Sequence, residues 1–206
     1  MVKRPQLLNQ RKRSSLSRLF VILCALLVAA LMFDVWFVRR FYVVEVSGGS
    51  MENTLISGDM LYADRTAVPE RGDIVIIDVK PYQDRGIFRG DFIIKRIIAL
   101  EGDSIQCKGN ILYLKKAGED KYSRLEEPYT DFITRDFEEV TVGEGEIFFL
   151  GDHRTSSTDS RAEGIGCLKL SDVVGVVPEW SVKLKKAISA WEHFRSAFGG
   201  RTKTEE

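Results

Sequence analysis

The chain has 206 residues, with 30 lysines and arginines against 30 aspartates and glutamates, so its formal charge is zero. That length suits one domain with its own core plus a short anchoring element. Three cysteines do not make a disulfide framework, and two histidines, His153 and His193, argue against hydrolysis through a His-triad metal; no cofactor is expected.

The zero sum hides an asymmetry. Residues 1–18 carry Lys3, Arg4, Arg11, Lys12, Arg13 and Arg18 and no acid, so the remainder is net acidic by six. A basic tail can bind nucleic acid. Placed directly ahead of an apolar run, it instead holds an N-terminus in the cytoplasm, and no nucleic-acid partner is expected. Residues 19–38, LFVILCALLVAALMFDVWFV, form that run. Twenty helical residues cover roughly 30 Å, the hydrocarbon thickness of a bilayer. Asp34 lies near the distal end, within reach of the interface, and Trp36 suits an aromatic belt. Val28-Ala29-Ala30 offers small residues for cleavage as a signal peptide, but the apolar stretch continues past Asp34 to Val38. A retained transmembrane helix is the expectation, with the rest of the chain on the extracytoplasmic side.

Strand patterns follow. Phe41–Val46 is rich in β-branched and aromatic residues and ends at Gly48-Gly49. Met60–Asp64, Ile74–Val79 and Phe92–Leu100 are further runs set off by Gly-Asp pairs. Shorter ones fall at 104–106, 111–114, 138–142, 147–150 and 173–177. Repeated short strands without long amphipathic helices between them predict a mainly β fold, a coiled antiparallel sheet, over 41–178. Residues 115–137 are polar and weakly periodic, with a turn at Glu127-Pro128-Tyr129, and a smaller inserted subregion is expected over about 108–140. From Trp180 the apolar residues Leu184, Ile188, Trp191, Phe194 and Phe198 recur at helical spacing among lysines, so 179–206 reads as an amphipathic C-terminal helix and tail. Such a helix can lie on a membrane or pack on the body.

Three stretches carry chemistry. Ser50 sits on a glycine-softened turn, Gly48-Gly49-Ser50-Met51. Lys95 lies in Phe92-Ile93-Ile94-Lys95-Arg96-Ile97-Ile98, and residues 151–161, GDHRTSSTDSR, are dense in hydroxyl and charged groups. A serine hydroxyl needs a base, and a lysine serves only when neutral, which takes a downward shift of roughly three pH units from its reference value of about 10.4. Burial among apolar groups is the way to obtain it. Since neighbours on a strand alternate faces, Lys95 and Arg96 would point apart, one toward the core side and one toward water.

The fragments Gly-x-Ser-Met-x-x-Thr-Leu, Arg-Gly-Asp-Ile-Val, Lys-Arg-Ile-Ile-Ala-Leu-Glu-Gly-Asp and Gly-Asp-His-Arg-x-x-Ser-x-Asp-Ser-Arg occur in that order. Together, over about Val43 to Val177, they resemble the bacterial type I signal peptidases, membrane-anchored Ser/Lys proteases. By that resemblance Ser50 matches the nucleophile and Lys95 the general base. Ser157 matches the serine that orients the lysine amine, Asp159 and Arg161 the charged pair that shapes the loop, and Arg96 the arginine after the lysine. Met51, Leu55 and Ile94 fall where the family lines its pockets for small residues. The implied reaction is removal of signal peptides from preproteins at the membrane surface, through an acyl-enzyme. Val38 to Ser50 spans at most about 40 Å when fully extended, compatible with a cut near the bilayer.

The chain departs from the family pattern at four positions. Gly48 stands where many relatives carry a hydroxyl that helps hold the oxyanion, which leaves the Ser50 N–H as the main donor. Asn53 replaces a usual proline, His153 a common asparagine, and Ile93 a frequent aromatic. A Ser/His reading of His153 is weaker than a structural one. Two alternatives stay open at this point: a Ser/Lys processing peptidase dedicated to one pilin- or conjugation-type substrate, and an inactive β-rich binding module. Cys107 and Cys167 could pair in an oxidising compartment.

Overall fold

The computed structural model describes residues 5–88 and 90–198, with side chains over 17–191 apart from residue 89. The chain divides into two compact units, 1–41 and 42–206.

The first unit is one helix, α1 (Pro5–Arg40). Pro5 opens it, where a missing N–H costs nothing, and leucine and alanine propagate it. Ser17–Arg40 is long and apolar enough to cross a membrane. Leu23, Leu27 and Leu31 are all exposed. Arg39 and Arg40 close the last turn, where cations complement the carbonyl end of the helix dipole. The expected span lies wholly inside this helix, which also takes in the described part of the basic segment.

The second unit is mainly β, as the sequence predicts. Its strands are β1 (Phe41–Glu45), β2 (Met60–Asp64), β3 (Ile74–Asp78), β4 (Phe92–Leu100), β5 (Ser104–Lys108), β6 (Ile111–Lys115), β7 (Ser123–Arg124), β8 (Phe137–Thr141), β9 (Glu146–Leu150), β10 (Leu168–Lys169) and β11 (Val173–Val177). Two of them, β7 and β10, have only two residues each, too short for any periodicity to announce them. Seven strands form one sheet in the order β1-β2-β11-β3-β4-β9-β10, and four form a second in the order β7-β6-β5-β8.

Three of the five Gly-Asp pairs form the same turn. In 56–59, 70–73 and 100–103 the aspartate carboxylate accepts from the backbone N–H three residues earlier, each at 2.8 Å. The glycine before it holds a positive φ of 93°, 95° and 78° respectively. The aspartate satisfies an N–H the turn would orphan, and glycine permits the left-handed step.

β4 lies between β3 and β9. Its register with β3 runs from Ile74 opposite Arg96 to Asp78 opposite Phe92, and with β9 it pairs Arg96 with Leu150 before a bulge. Alternation along β4 feeds different cores. Ile97 is buried with Val75, Ile77 and Phe149, and Ile93 packs on the same group. Ile94 packs against a second cluster holding Met51, Leu55 and Ile76. Past the bulge, Ile98 and Ala99 join Phe148 and Leu150 against Ile105, Leu112 and Leu114, which seals the two sheets together.

Helix α2 (Glu179–Phe198) packs on the body at its start. Ser181 accepts from the Tyr62 N–H at 2.8 Å, Trp180 lies on the Tyr62 ring, and Lys185 pairs with Asp59 at 2.8 Å. Leu184, Ile188 and Trp191 present an exposed apolar stripe.

Candidate active site

The turn after β1 brings Ser50 up against Lys95 of β4. Lys95 Nζ donates to Ser50 Oγ at 2.5 Å. The lysine is 5% exposed. Burial lowers its amine from the ordinary value to about 8, against the upward pull of Asp159 and Asp152. A neutral amine is thus accessible near physiological pH, beside a hydroxyl whose proton it can take.

A cleft of about 210 Å³ opens over this pair, lined by Val46, Gly48, Met51, Ile76, Ile93 and Ile94 among others. Two of the three residues predicted to line a pocket, Met51 and Ile94, are there. Leu55 is not: it is wholly buried in the core under Met51, because the turn that closes with its N–H on the Met51 carbonyl directs it inward.

Arg96 overturns the expectation that one member of the Lys-Arg pair meets water. It is 8% exposed. Its Nε and Nη2 reach the two oxygens of Asp152 at 2.8 and 2.5 Å, Nη1 donates to the Gly72 carbonyl at 2.8 Å, and the guanidinium lies 3.9 Å from the centre of the Tyr129 ring. Asp152 is fully buried and also accepts from Thr54 Oγ1 at 2.5 Å. A buried arginine keeps its charge only with such partners, so both faces of β4 can be interior. Tyr129 meets a second guanidinium, that of Arg154, which pairs with Glu127 through both nitrogens. Burial pushes the Tyr129 hydroxyl upward, keeping it neutral.

Residues 151–161 wrap this centre. Arg161 grips Asp159 through Nε and Nη2, both at 2.8 Å, and Asp159 accepts from the Gly151 N–H at 3.0 Å. Asp159 is 1% exposed, so the pair is an interior brace and not a surface ion pair. The Ser157 hydroxyl does not make the hydrogen bond to the lysine amine that the resemblance implies: Oγ is buried and has no partner among the described residues, while the amine is engaged with Ser50. Gly151 is what lets these segments close. A Cβ there would fall on the Ser157 hydroxyl and on the Ser50 carbonyl.

Three of the four departures from the family pattern have a local account. Gly48 has a φ of 87° and Asn53 one of 84°, a backbone that proline cannot adopt. Asn53 also donates to Asp131 at 3.1 Å. His153 stacks on Phe132 and sits beside the nucleophile turn, without contacting Lys95. Cys107 and Cys167 are free thiols, both pushed up to about 11 by burial.

Residue reasoning did not assign Asp152, Thr54, Gly151 or Tyr129 a role. The available signal was Arg96 itself, since a guanidinium inside an apolar strand demands a carboxylate in the fold.

Comparison with known proteins gives the class and then the family. A family model described as signal peptidase, peptidase S26, matches residues 15–180. Signal peptidase I of Bacillus licheniformis is 37% identical over 166 residues, covering 76% of this chain and 81% of that protein. Signal peptidase I of Bacillus caldolyticus is 36% identical over 171 residues, covering 77% and 85%. A signal peptidase I crystal structure from Enterococcus faecalis is 28% identical and covers 53% of this chain and 97% of that one, with a TM-score of 0.42. The chain is therefore a serine peptidase of the hydrolase class. It belongs to the signal peptidase family, peptidase S26.

Proposed function

We propose that the chain is a membrane-anchored signal peptidase that removes N-terminal signal peptides from exported preproteins, cutting after small residues through a Ser50–Lys95 dyad. The observation that carries this is the 2.5 Å contact between Lys95 Nζ and Ser50 Oγ in the wall of a cleft, with the amine lowered by burial.

Ser50 Oγ attacks the scissile carbonyl as Lys95 takes its proton, and the charge on the oxygen falls near the Ser50 N–H. Lys95 then gives that proton to the leaving amine, which leaves an ester on Ser50. Water attacks the ester with Lys95 again as base, releasing the carboxylate and restoring the serine. The narrow cleft favours small side chains because a bulky one would clash, and exclusion discriminates strongly. Helix α1 anchors the enzyme with its basic N-terminus in the cytoplasm, so the β-rich unit works at the extracytoplasmic surface, where preproteins are themselves tethered by their apolar segments.

Cleavage of a preprotein by the full chain in detergent tests the assignment. Ser50→Ala and Lys95→Met should each abolish turnover, and full activity in either one would sink the dyad.

A further inference from the structure

The Gly49 carbonyl and the Ser50 N–H belong to one planar trans peptide and point in opposite directions, so whatever holds the carbonyl aims the N–H. Gly48 and Ser50 line the cleft, whereas Gly49 does not. Behind it, two donors converge on the Gly49 carbonyl: the Glu52 N–H at 3.1 Å and Nδ1 of His153 at 3.2 Å. The same Nδ1 lies 3.0 Å from Glu52 Oε2. With two acceptor oxygens facing it, Nδ1 must carry a proton, which makes the imidazole a donor to the carbonyl.

The ring is held for that task. It stacks on Phe132 with centroids 3.9 Å apart and planes 19° from parallel. Phe132 is fixed in turn by Thr130, which accepts from its N–H at 3.1 Å and donates to the Asp152 carbonyl at 2.6 Å. The main chain of His153 grips the next peptide, donating to the Ser50 carbonyl at 3.0 Å.

We propose that His153, oriented by Glu52 and Phe132, is a positioning residue for the oxyanion: it pins the Gly49–Ser50 peptide from behind, so that the Ser50 N–H stays aimed into the cleft and is polarised. A hydrogen bond accepted by the carbonyl strengthens the N–H of the same peptide as a donor. Gly48 has no side chain to offer the oxyanion, so this chain leans on the one backbone donor more heavily than a relative with a hydroxyl there. The inference rests on Ser50 being the nucleophile.

The test is steady-state cleavage of a preprotein by the full chain in detergent, with thermal midpoints measured alongside. Losing an oxyanion donor outright costs roughly 100- to 1000-fold in kcat, so letting it tilt should cost about tenfold. His153→Leu should show that drop in kcat with KM nearly unchanged, because the oxyanion exists only past the ground state. His153→Asn, whose amide can donate to the same carbonyl, should recover most of kcat. Glu52→Ala should lower kcat in the same sense by a smaller factor, and since Glu52 is half exposed this variant decides the matter even if His153→Leu does not fold. Unchanged kcat in both variants, or a loss confined to KM, overturns the proposal. Ser50→Ala separates the two readings: activity in that variant removes the nucleophile assignment itself, whereas a dead Ser50→Ala beside an unaffected His153→Leu removes only the role of His153.

Discussion

Arg96 and Asp152 meet through two parallel hydrogen bonds in the interior of the β unit, at 2.8 and 2.5 Å. The carboxylate also takes the Thr54 hydroxyl, four residues beyond Ser50, and the arginine follows Lys95 directly. One aspartate therefore ties the nucleophile's turn to the base's strand. Removing one partner of a buried pair leaves a stranded charge, which costs about 3–5 kcal/mol. Asp152→Ala should lower stability by that order in chemical denaturation and lose activity with it. The double replacement Arg96→Met with Asp152→Leu should recover much of the stability without the activity. Equal stability of the single and double variants would contradict the pairing argument.

The pH dependence follows from Lys95. Burial lowers its amine to about 8, and only the neutral amine can accept the serine proton. Activity should reach half its plateau near pH 8 and fall about tenfold per pH unit below that. A pH–rate profile that stays flat from pH 8 to pH 6 would rule Lys95 out as the base.

The same burial has a stability cost. Because the folded value lies below the unfolded one of 10.5, the cost is full below about pH 8 and fades as pH rises from there to the unfolded value. Lys95→Met keeps the stem and removes the charge. It should stabilise the fold at pH 7 by on the order of 2 kcal/mol, visible as a raised thermal midpoint, while abolishing cleavage. The gain should shrink when the midpoints are compared at pH 10.

Gly151→Ala adds a single methyl group where the Ser50 carbonyl and the Ser157 hydroxyl already crowd the backbone. The segments must move apart, so activity should fall by at least tenfold although no catalytic side chain changes. Gly151 lies outside the left-handed region, so alanine adds no backbone strain there and the loss reports crowding alone.

Asn53→Pro installs the residue the family usually carries and should nonetheless destabilise this chain. Proline holds φ near −65°, and Asn53 sits at +84°. A loss of more than about 1 kcal/mol in denaturant unfolding is expected. A neutral or stabilising result would mean the turn after the nucleophile has a different backbone.

Much of this site was legible in the sequence because it follows from local pattern. Lys95 among isoleucines foretells a buried amine, Ser50 behind two glycines a tight turn, and the Gly-Asp pairs the sheet corners. What escaped depends on residues far apart in the chain. Strand alternation implied that one of Lys95 and Arg96 faces water, yet both are buried, because Gly72, Tyr129 and Asp152, distant from one another in the chain, close over Arg96. Leu55 has the same apolar character as Met51, and only the turn geometry decides which of them lines the cleft. The polar stretch 115–137 gave little periodicity to read, since Glu127 and Thr134 point inward to Arg154 instead of out to solvent.

The pairing of β4 with β3, five residues from Ile74 opposite Arg96 to Asp78 opposite Phe92, has a further consequence for how the molecule matures. A slip of one residue in one direction would put Arg96 where Lys95 belongs, and in the other would put Lys95 where Arg96 belongs, because neighbours on a strand occupy opposite faces. A guanidinium opposite Ser50 stays protonated and can never act as base, and an ammonium opposite Asp152 makes no forked bond. Such a misaligned molecule could be compact and yet inert. Turnover per molecule is then a sensitive gauge of alignment in refolded material, able to distinguish a correctly threaded sheet from a collapsed one that looks equally folded by its β content.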